Sequence, residues 1–231
     1  MSWIAQLRKR HGDRKTLRKL RSLRTRISAA GYTLQSFDEH RCIFIHIPKC
    51  AGVSIAQSLF GNQGAGHYSA SQYREFFGDA TYDDYFTFAF VRNPWDRLAS
   101  AYHFLRRGGF NDADLRWASR HLQHYVSFDN FVKNWVTPEH VRSWVHFEPQ
   151  CDYLCKADGT LDVDFIGRFE RLEPDFQALC NKLGIDRALL SLNQGVHVHP
   201  RYQTLYDDQS RDIVSEVYAR DIELLNYSFD G

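Results

Sequence analysis

A three-layer α/β/α domain with a central parallel sheet is the fold class the sequence predicts, on three observations. A unit of apolar strand, tight loop and helix occurs twice in the first half of the chain, near residues 41–60 and 85–107. A third strand and helix follow near 163–183. The strands are almost continuous apolar runs, the pattern of strands covered on both faces, as parallel strands joined by helical crossovers are.

Taken in order, residues 41–47 (RCIFIHI) form a buried strand that stops at Pro48, and Pro48–Ser54 turns the chain into a helix over Ile55–Phe60 ended by Gly61. Tyr85–Val91, rich in aromatic and β-branched residues, is the second strand. Arg92-Asn93-Pro94 leads from it into a helix over Trp95–Arg107, closed by Gly108 and Gly109. Val163–Phe169 is the third strand, followed by a helix over Glu173–Leu183 that ends at Gly184. Asp207–Leu225 reads as one long C-terminal helix. Between these lie a flexible Gly-rich loop at Gly61–Gly66, a helix at Ser69–Phe77, and an aromatic, mainly helical stretch over Asn111–Glu148.

At 231 residues the chain suits one α/β domain. The expected division is a basic amphipathic segment at 1–34 and the α/β domain at 35–231. The net charge of +1 conceals this asymmetry. Residues 1–34 hold ten Lys/Arg against Asp13 alone, a surplus of nine, which leaves the remainder eight charges negative. Trp3, Ile4, Leu7, Leu17, Leu20, Leu23 and Ile27 recur among those bases at near-helical spacing. Such a helix either packs on the domain with its charges solvated or rests on an anionic membrane or polymer. Nucleic acid is not expected as a partner, because the acidic remainder repels phosphate.

No apolar run approaches the roughly 18 residues of a membrane span, and the start lacks the apolar core of a secretory signal. A cytoplasmic location follows, with peripheral contact at the inner membrane face through residues 1–34 as an addition. Five cysteines without a CxxC pair point to reduced thiols rather than to disulfides or zinc. His197-Val-His199 has no third ligand at a diagnostic spacing, so no metal is expected.

The chemistry concentrates after the first two strands. Lys49 stands in a loop whose successive backbone N–H groups (Cys50, Ala51, Gly52, Val53, Ser54) open a helix, an arrangement that binds phosphate or sulfate. The loop is P-loop-like but lacks G-x-x-x-x-G-K-[ST], which weakens an ATP-dependent reading. Arg92 ends the second strand and Ser100 lies two turns into the next helix, so guanidinium and hydroxyl suit a second phosphate group. Two phosphate sites suggest a bisphosphorylated nucleotide. Arg97 reads as structural, tied to Asp96 or to an adjacent carbonyl. Of eleven histidines, His67 is the strongest general-base candidate, His103 a second, and His46 a buried strand residue. Trp117, Tyr125, Trp135 and Trp144 suit stacking on sugar rings and suit an apolar core equally.

Two segments, 45–54 (IHIPKCAGVS) and 90–102 (FVRNPWDRLASAY), resemble the 5′-phosphosulfate loop and the 3′-phosphate motif of carbohydrate sulfotransferases. These enzymes use 3′-phosphoadenosine-5′-phosphosulfate (PAPS). The likeness extends through 147–150 (FEPQ), 154–155 (LC), 164–172 (DFIGRFERL) and 218–221 (YARD), covering roughly residues 41–229. It is nearest to the chondroitin 4-O- and heparan 2-O-sulfotransferase branch and its bacterial counterparts. The resemblance implies a PAPS-dependent sulfotransferase domain at 35–231 that acts on a carbohydrate or other hydroxyl acceptor. By position, Lys49 and residues 50–54 would hold the 5′-phosphosulfate, Arg92 and Ser100 the 3′-phosphate, and His67 would be the base. Arg168, Arg201 and Tyr202 would be further donor contacts. The alternatives are a P-loop kinase-like phosphotransferase and a non-catalytic glycan- or nucleotide-binding module.

Overall fold

The computed structural model describes residues 13–190 and 201–231. In chain order the elements begin with α1 (Arg14–Thr25), α2 (Gln35–His40), β1 (Cys42–Ile45), α3 (Gly52–Phe60) and α4 (Ala70–Phe77). Next come α5 (Asp79–Asp84), β2 (Phe86–Val91), α6 (Pro94–Arg106), α7 (Asp112–His121) and α8 (Phe128–Trp135). The series ends with α9 (Cys151–Leu154), β3 (Phe165–Arg168), α10 (Leu172–Leu183), α11 (Asp208–Val217) and α12 (Ala219–Leu224). The contacts divide the chain into two compact units: Met1–Val91 with Gln150–Gln194, and Arg92–Pro149 with Gly195–Gly231.

The first unit holds the sheet. Its strands are parallel in the order β1-β2-β3, with Ile45 opposite Ala89 and Val91 opposite Arg168. Cys42, Ile43, Phe44 and Ile45 are all buried. Because successive side chains point to opposite faces, a strand buried at every position is covered on both, as expected for the α/β class. Gly167 lets β2 and β3 approach: a Cβ there would lie 2.4 Å from the Phe90 ring.

The segment at 14–34 packs on this unit, one of the two readings its composition left open. Asp13 caps α1 by accepting from Thr16 N. Leu20 and Leu23 are buried, and Arg24 donates from Nε and Nη2 to the two carboxylate oxygens of Asp38, both at 2.7 Å. The Gly61–Gly66 loop, expected to be flexible, is held by backbone bonds instead. Thr33 N donates to Gly64 O at 2.8 Å and Gln63 N to Gly31 O at 3.0 Å. The sequence signals turn geometry but not these partners, which arrive from thirty residues upstream. Trp3, Ile4 and Leu7 lie outside the described residues, as do His197 and His199.

The second unit is built on rings. Tyr102, Trp117, Phe128, Phe131, Trp135 and Phe147 form its buried core, with Tyr125 and Trp144 packed against it. Of the four aromatics that suited either a sugar platform or a core, Trp117 and Trp135 serve the core, while Tyr125 and Trp144 pack on it and stay partly exposed. The long C-terminal helix expected over 207–225 is two helices. The chain bends at Tyr218, where ψ reaches 20° between α11 and α12. Tyr218 is buried and its hydroxyl donates to Phe147 O at 2.6 Å, an anchor that propensity along the helix does not reveal.

No helix among the described residues is long and apolar enough to cross a membrane.

Candidate functional site

β1 ends at Ile45, and the chain needs six residues to reverse into α3. Within that turn Lys49 has φ +70° and Ala51 φ +61°. Neither is glycine, and each left-handed residue with a Cβ costs about 1 kcal/mol or more. Left-handed residues on either side of Cys50 are a backbone geometry from which anion-binding concavities are built, and α3 behind the turn offers the positive end of its dipole. The two strained residues, Lys49 and Ala51, fall within the segment expected to bind an anion, Lys49, Cys50, Ala51, Gly52, Val53 and Ser54.

The loop is held from beneath. The Cys50 thiol is buried and donates towards Pro48 O and Gln150 Oε1, at 3.6 Å and 3.5 Å. Ser58 Oγ donates to Ser54 O at 2.7 Å and accepts from Leu190 N at 2.7 Å. Gly52 allows the closest approach: a Cβ there would fall 1.9 Å from the His46 ring. The His46 imidazole also stacks on Phe44, with ring centroids 5.4 Å apart at 8°.

His67 is brought to the same place. Its Nδ1 lies 2.9 Å from His46 O, and the two ring centroids are 4.4 Å apart in a T-shaped arrangement. A carbonyl oxygen only accepts, so His67 Nδ1 carries the proton and, in the neutral ring, Nε2 carries the lone pair. His67 is partly exposed, and the next element is fixed by a capping box at Ser69 and Gln72. The expected placement of His67, after the Gly-rich loop and before a helix, is therefore observed, and the ring lies against His46. The His46 carbonyl as its anchor was missed: nothing in a strand's side-chain pattern says which loop its backbone will hold.

Arg168 closes β3 opposite Val91, and its backbone N–H donates to Asp175 Oδ2 at 2.8 Å. It stands at the carboxyl edge of the sheet that also carries the Lys49 loop, because all three strands are parallel.

In the second unit, Arg92 is partly buried and donates from Nε to Asp96 Oδ2 at 2.7 Å. The carboxylate considered for Arg97 thus belongs to Arg92. Arg97 is buried and donates from Nη1 to Glu148 O at 2.9 Å. Its structural role was foreseen, but its carbonyl lies fifty-one residues downstream. Asn93 caps α6 by accepting from Trp95 N. Ser100 lies partly exposed on α6. His103 packs its ring on Tyr102 and Phe128. Arg201 is exposed, and the Tyr202 hydroxyl donates to Phe229 O.

A buried carboxylate–imidazole pair that the sequence did not suggest lies in the same unit. His146 Nε2 is 3.1 Å from Asp114 Oδ1, with both residues buried. Burial pushes the Asp114 carboxyl up, but the hydrogen bonds from His146 and Phe110 N outweigh it and hold it below the ordinary carboxylate range.

Cys42, Cys50, Cys151, Cys155 and Cys180 are all free and buried. Burial pushes the Cys42 thiol up to about 12. Among the described residues, no group of three or more His, Cys, Asp or Glu could hold a metal ion.

Residues 33–228 match the sequence model of the Sulfotransferase family. A similar protein is an uncharacterized protein of Archaeoglobus fulgidus, 30% identical over 140 residues, which cover 59% of this chain and 92% of that protein.

Proposed function

The chain belongs to the sulfotransferase family, and from that premise we propose that it transfers a sulfuryl group from PAPS to a hydroxyl of a carbohydrate acceptor. The observation that supports this reading is the turn after β1, left-handed at the non-glycine residues Lys49 and Ala51, with the His46 carbonyl at its start bonded to His67. The catalytic domain is proposed to be residues 35–231. A reducing, cytoplasmic setting suits five buried, unbridged thiols.

The donor fits the residues present. The Lys49 ammonium and the N–H groups of residues 50–54 would hold its 5′-phosphosulfate, and Arg92 and Ser100 its 3′-phosphate. Arg168, Arg201 and Tyr202 are proposed as further contacts. Asp96 fixes the Arg92 guanidinium through Nε, so its Nη atoms are presented in one orientation.

PAPS supplies an activated sulfuryl group on a good leaving group. His67 Nε2 takes the proton of the acceptor hydroxyl as its oxygen forms the new bond to sulfur. The bond from sulfur to the bridging phosphate oxygen breaks, and its electron pair leaves with 3′-phosphoadenosine-5′-phosphate. Lys49 and the loop amides stabilise that growing negative charge. His46 O holds the His67 ring in the tautomer this step needs.

The experiment is transfer of sulfur-labelled PAPS to a panel of oligosaccharides, with wild type, Lys49→Ala and His67→Ala. Label transferred by wild type and not by the variants supports the reading. Label on no hydroxyl compound refutes it.

A further inference from the structure

We propose that the outer face of α7, with the residues that flank it, docks on an anionic lipid surface. Among the described residues of the second unit, the large apolar side chains left exposed are Phe110, Leu115 and Val126, at 67%, 51% and 90%. All three fall on α7 or within five residues of its ends, where scattered exposure would have spread them over the unit. Arg106, Arg107, Arg116 and Arg120 are exposed around them, and Asp112 is the one exposed acid from 106 to 126. This basic charge is local: residues 201–231 of the same unit hold seven acids against three arginines.

The patch is held in place from within. α7 buries Asp114, Trp117 and Ala118, which turns Leu115, Arg116, Ser119 and Arg120 to the opposite, solvent side. The Phe110 N–H donates to Asp114 Oδ2 at 3.0 Å, and a Cβ on Gly109, where φ is +70°, would meet Asp114 Cβ at 2.1 Å. Arg106 Nη1 donates to Leu122 O at 3.1 Å, which ties the end of α6 to the end of α7. Apolar side chains fixed in water in this way gain free energy once something covers them.

Shape and charge together select what covers them. The two grooves beside α7 measure about 230 Å³ and 180 Å³, below the roughly 300–1,000 Å³ of a pocket that encloses a ligand. Three separate side chains stand out along and beyond a helix about 15 Å long, so the complementary surface is broad and deformable. A second copy of the chain would set arginines against arginines across a two-fold axis. Nucleic acid would pair with the arginines and leave Phe110, Leu115 and Val126 uncovered. The interface of an anionic bilayer meets both needs: headgroup phosphates pair with the guanidinium groups, and the apolar side chains enter the boundary beneath them. Neither the basic segment at 1–34 nor the proposed sulfuryl transfer enters into this docking.

The test is co-sedimentation of the full chain with phosphatidylglycerol vesicles and with phosphatidylcholine vesicles over a range of salt. One variant combines Phe110→Ser with Leu115→Gln. A second combines Arg107→Gln, Arg116→Gln and Arg120→Gln, and spares Arg106 with its bond to Leu122. Every changed side chain is exposed, so both variants should melt as wild type does. Wild type should bind the anionic vesicles and not the phosphatidylcholine ones, more weakly as salt rises. Each variant should bind on the order of tenfold or more weakly, the arginine variant with the shallower salt dependence. A variant that binds like wild type, or wild type that binds neither vesicle or both alike, overturns the proposal. Two rival occupants have their own readouts, and either result also overturns it. Self-association of wild type that both variants abolish would assign the face to a second copy. Capture by immobilised polyglutamate as tight as by phosphatidylglycerol would assign it to an acidic protein.

Discussion

His67 Nδ1 lies 2.9 Å from the backbone oxygen of His46, and the His46 ring fills the space above Gly52 where a Cβ would stand 1.9 Å away. One residue at the end of β1 thus orients the proposed base with its backbone and shapes the anion loop with its side chain. Substitutions at His46 or Gly52 should therefore be felt in catalysis.

Gly52→Ala forces the new methyl into the His46 ring, because backbone on one side and the Phe44 stack on the other leave little room. The variant should lose about 1–3 kcal/mol of stability in denaturant unfolding, as overpacking does. Adding His46→Ala should restore part of that loss, and the double-mutant cycle reads the coupling. Additive losses would mean the two residues do not compete for one space.

His67→Ala and Lys49→Ala should each lower turnover on the order of a hundredfold or more, as loss of a general base or of a charge stabiliser does. The two should differ in pH dependence. His67→Ala should lose the rise in rate as imidazole deprotonates, and Lys49→Ala should keep it. An unchanged pH profile in His67→Ala would assign the proton to another group.

The Asp114–His146 pair predicts acid sensitivity in the second unit. The Asp114 carboxyl titrates below its ordinary value of about 3.9. Its contribution is therefore fully present above that value and disappears as pH falls through the lowered folded-state pKa. Asp114→Asn should cost about 1–3 kcal/mol at neutral pH by weakening a buried hydrogen bond. It should also flatten the fall of the melting temperature below pH 4. A variant that melts like wild type across that range would remove the pair from the account.

Asp96→Asn should weaken binding of a 3′-phosphate by loosening the Arg92 guanidinium, while 5′-AMP binding stays as in wild type. Calorimetry with both ligands checks this. Equal losses for the two would make Asp96 a general structural residue.

The sheet was legible because buried strands need apolar side chains on both faces, and 42–45 and 86–91 show them at every position but Thr87. The loop after β1 was legible because Lys49 and small residues sit between a strand end and a helix. What the sequence withheld were partners supplied by backbone. His46 O holds His67, Glu148 O holds Arg97, and Gly64 O and Gly31 O hold the Gly-rich loop to its neighbour. A carbonyl has no residue type, so no pattern announces it. The bend at Tyr218 was hidden for a related reason: a hydroxyl reaching Phe147 O decides it, not helix propensity. Asp96 lies four residues from Arg92, a spacing that could have revealed their bond, but Arg97 beside it drew the pairing.

The donor site is tested by titration calorimetry of 3′-phosphoadenosine-5′-phosphate against 5′-AMP, with wild type and Arg92→Ala. Wild type should prefer the bisphosphate, and Arg92→Ala should lose the preference while still binding 5′-AMP. Wild type that binds both ligands alike would contradict it.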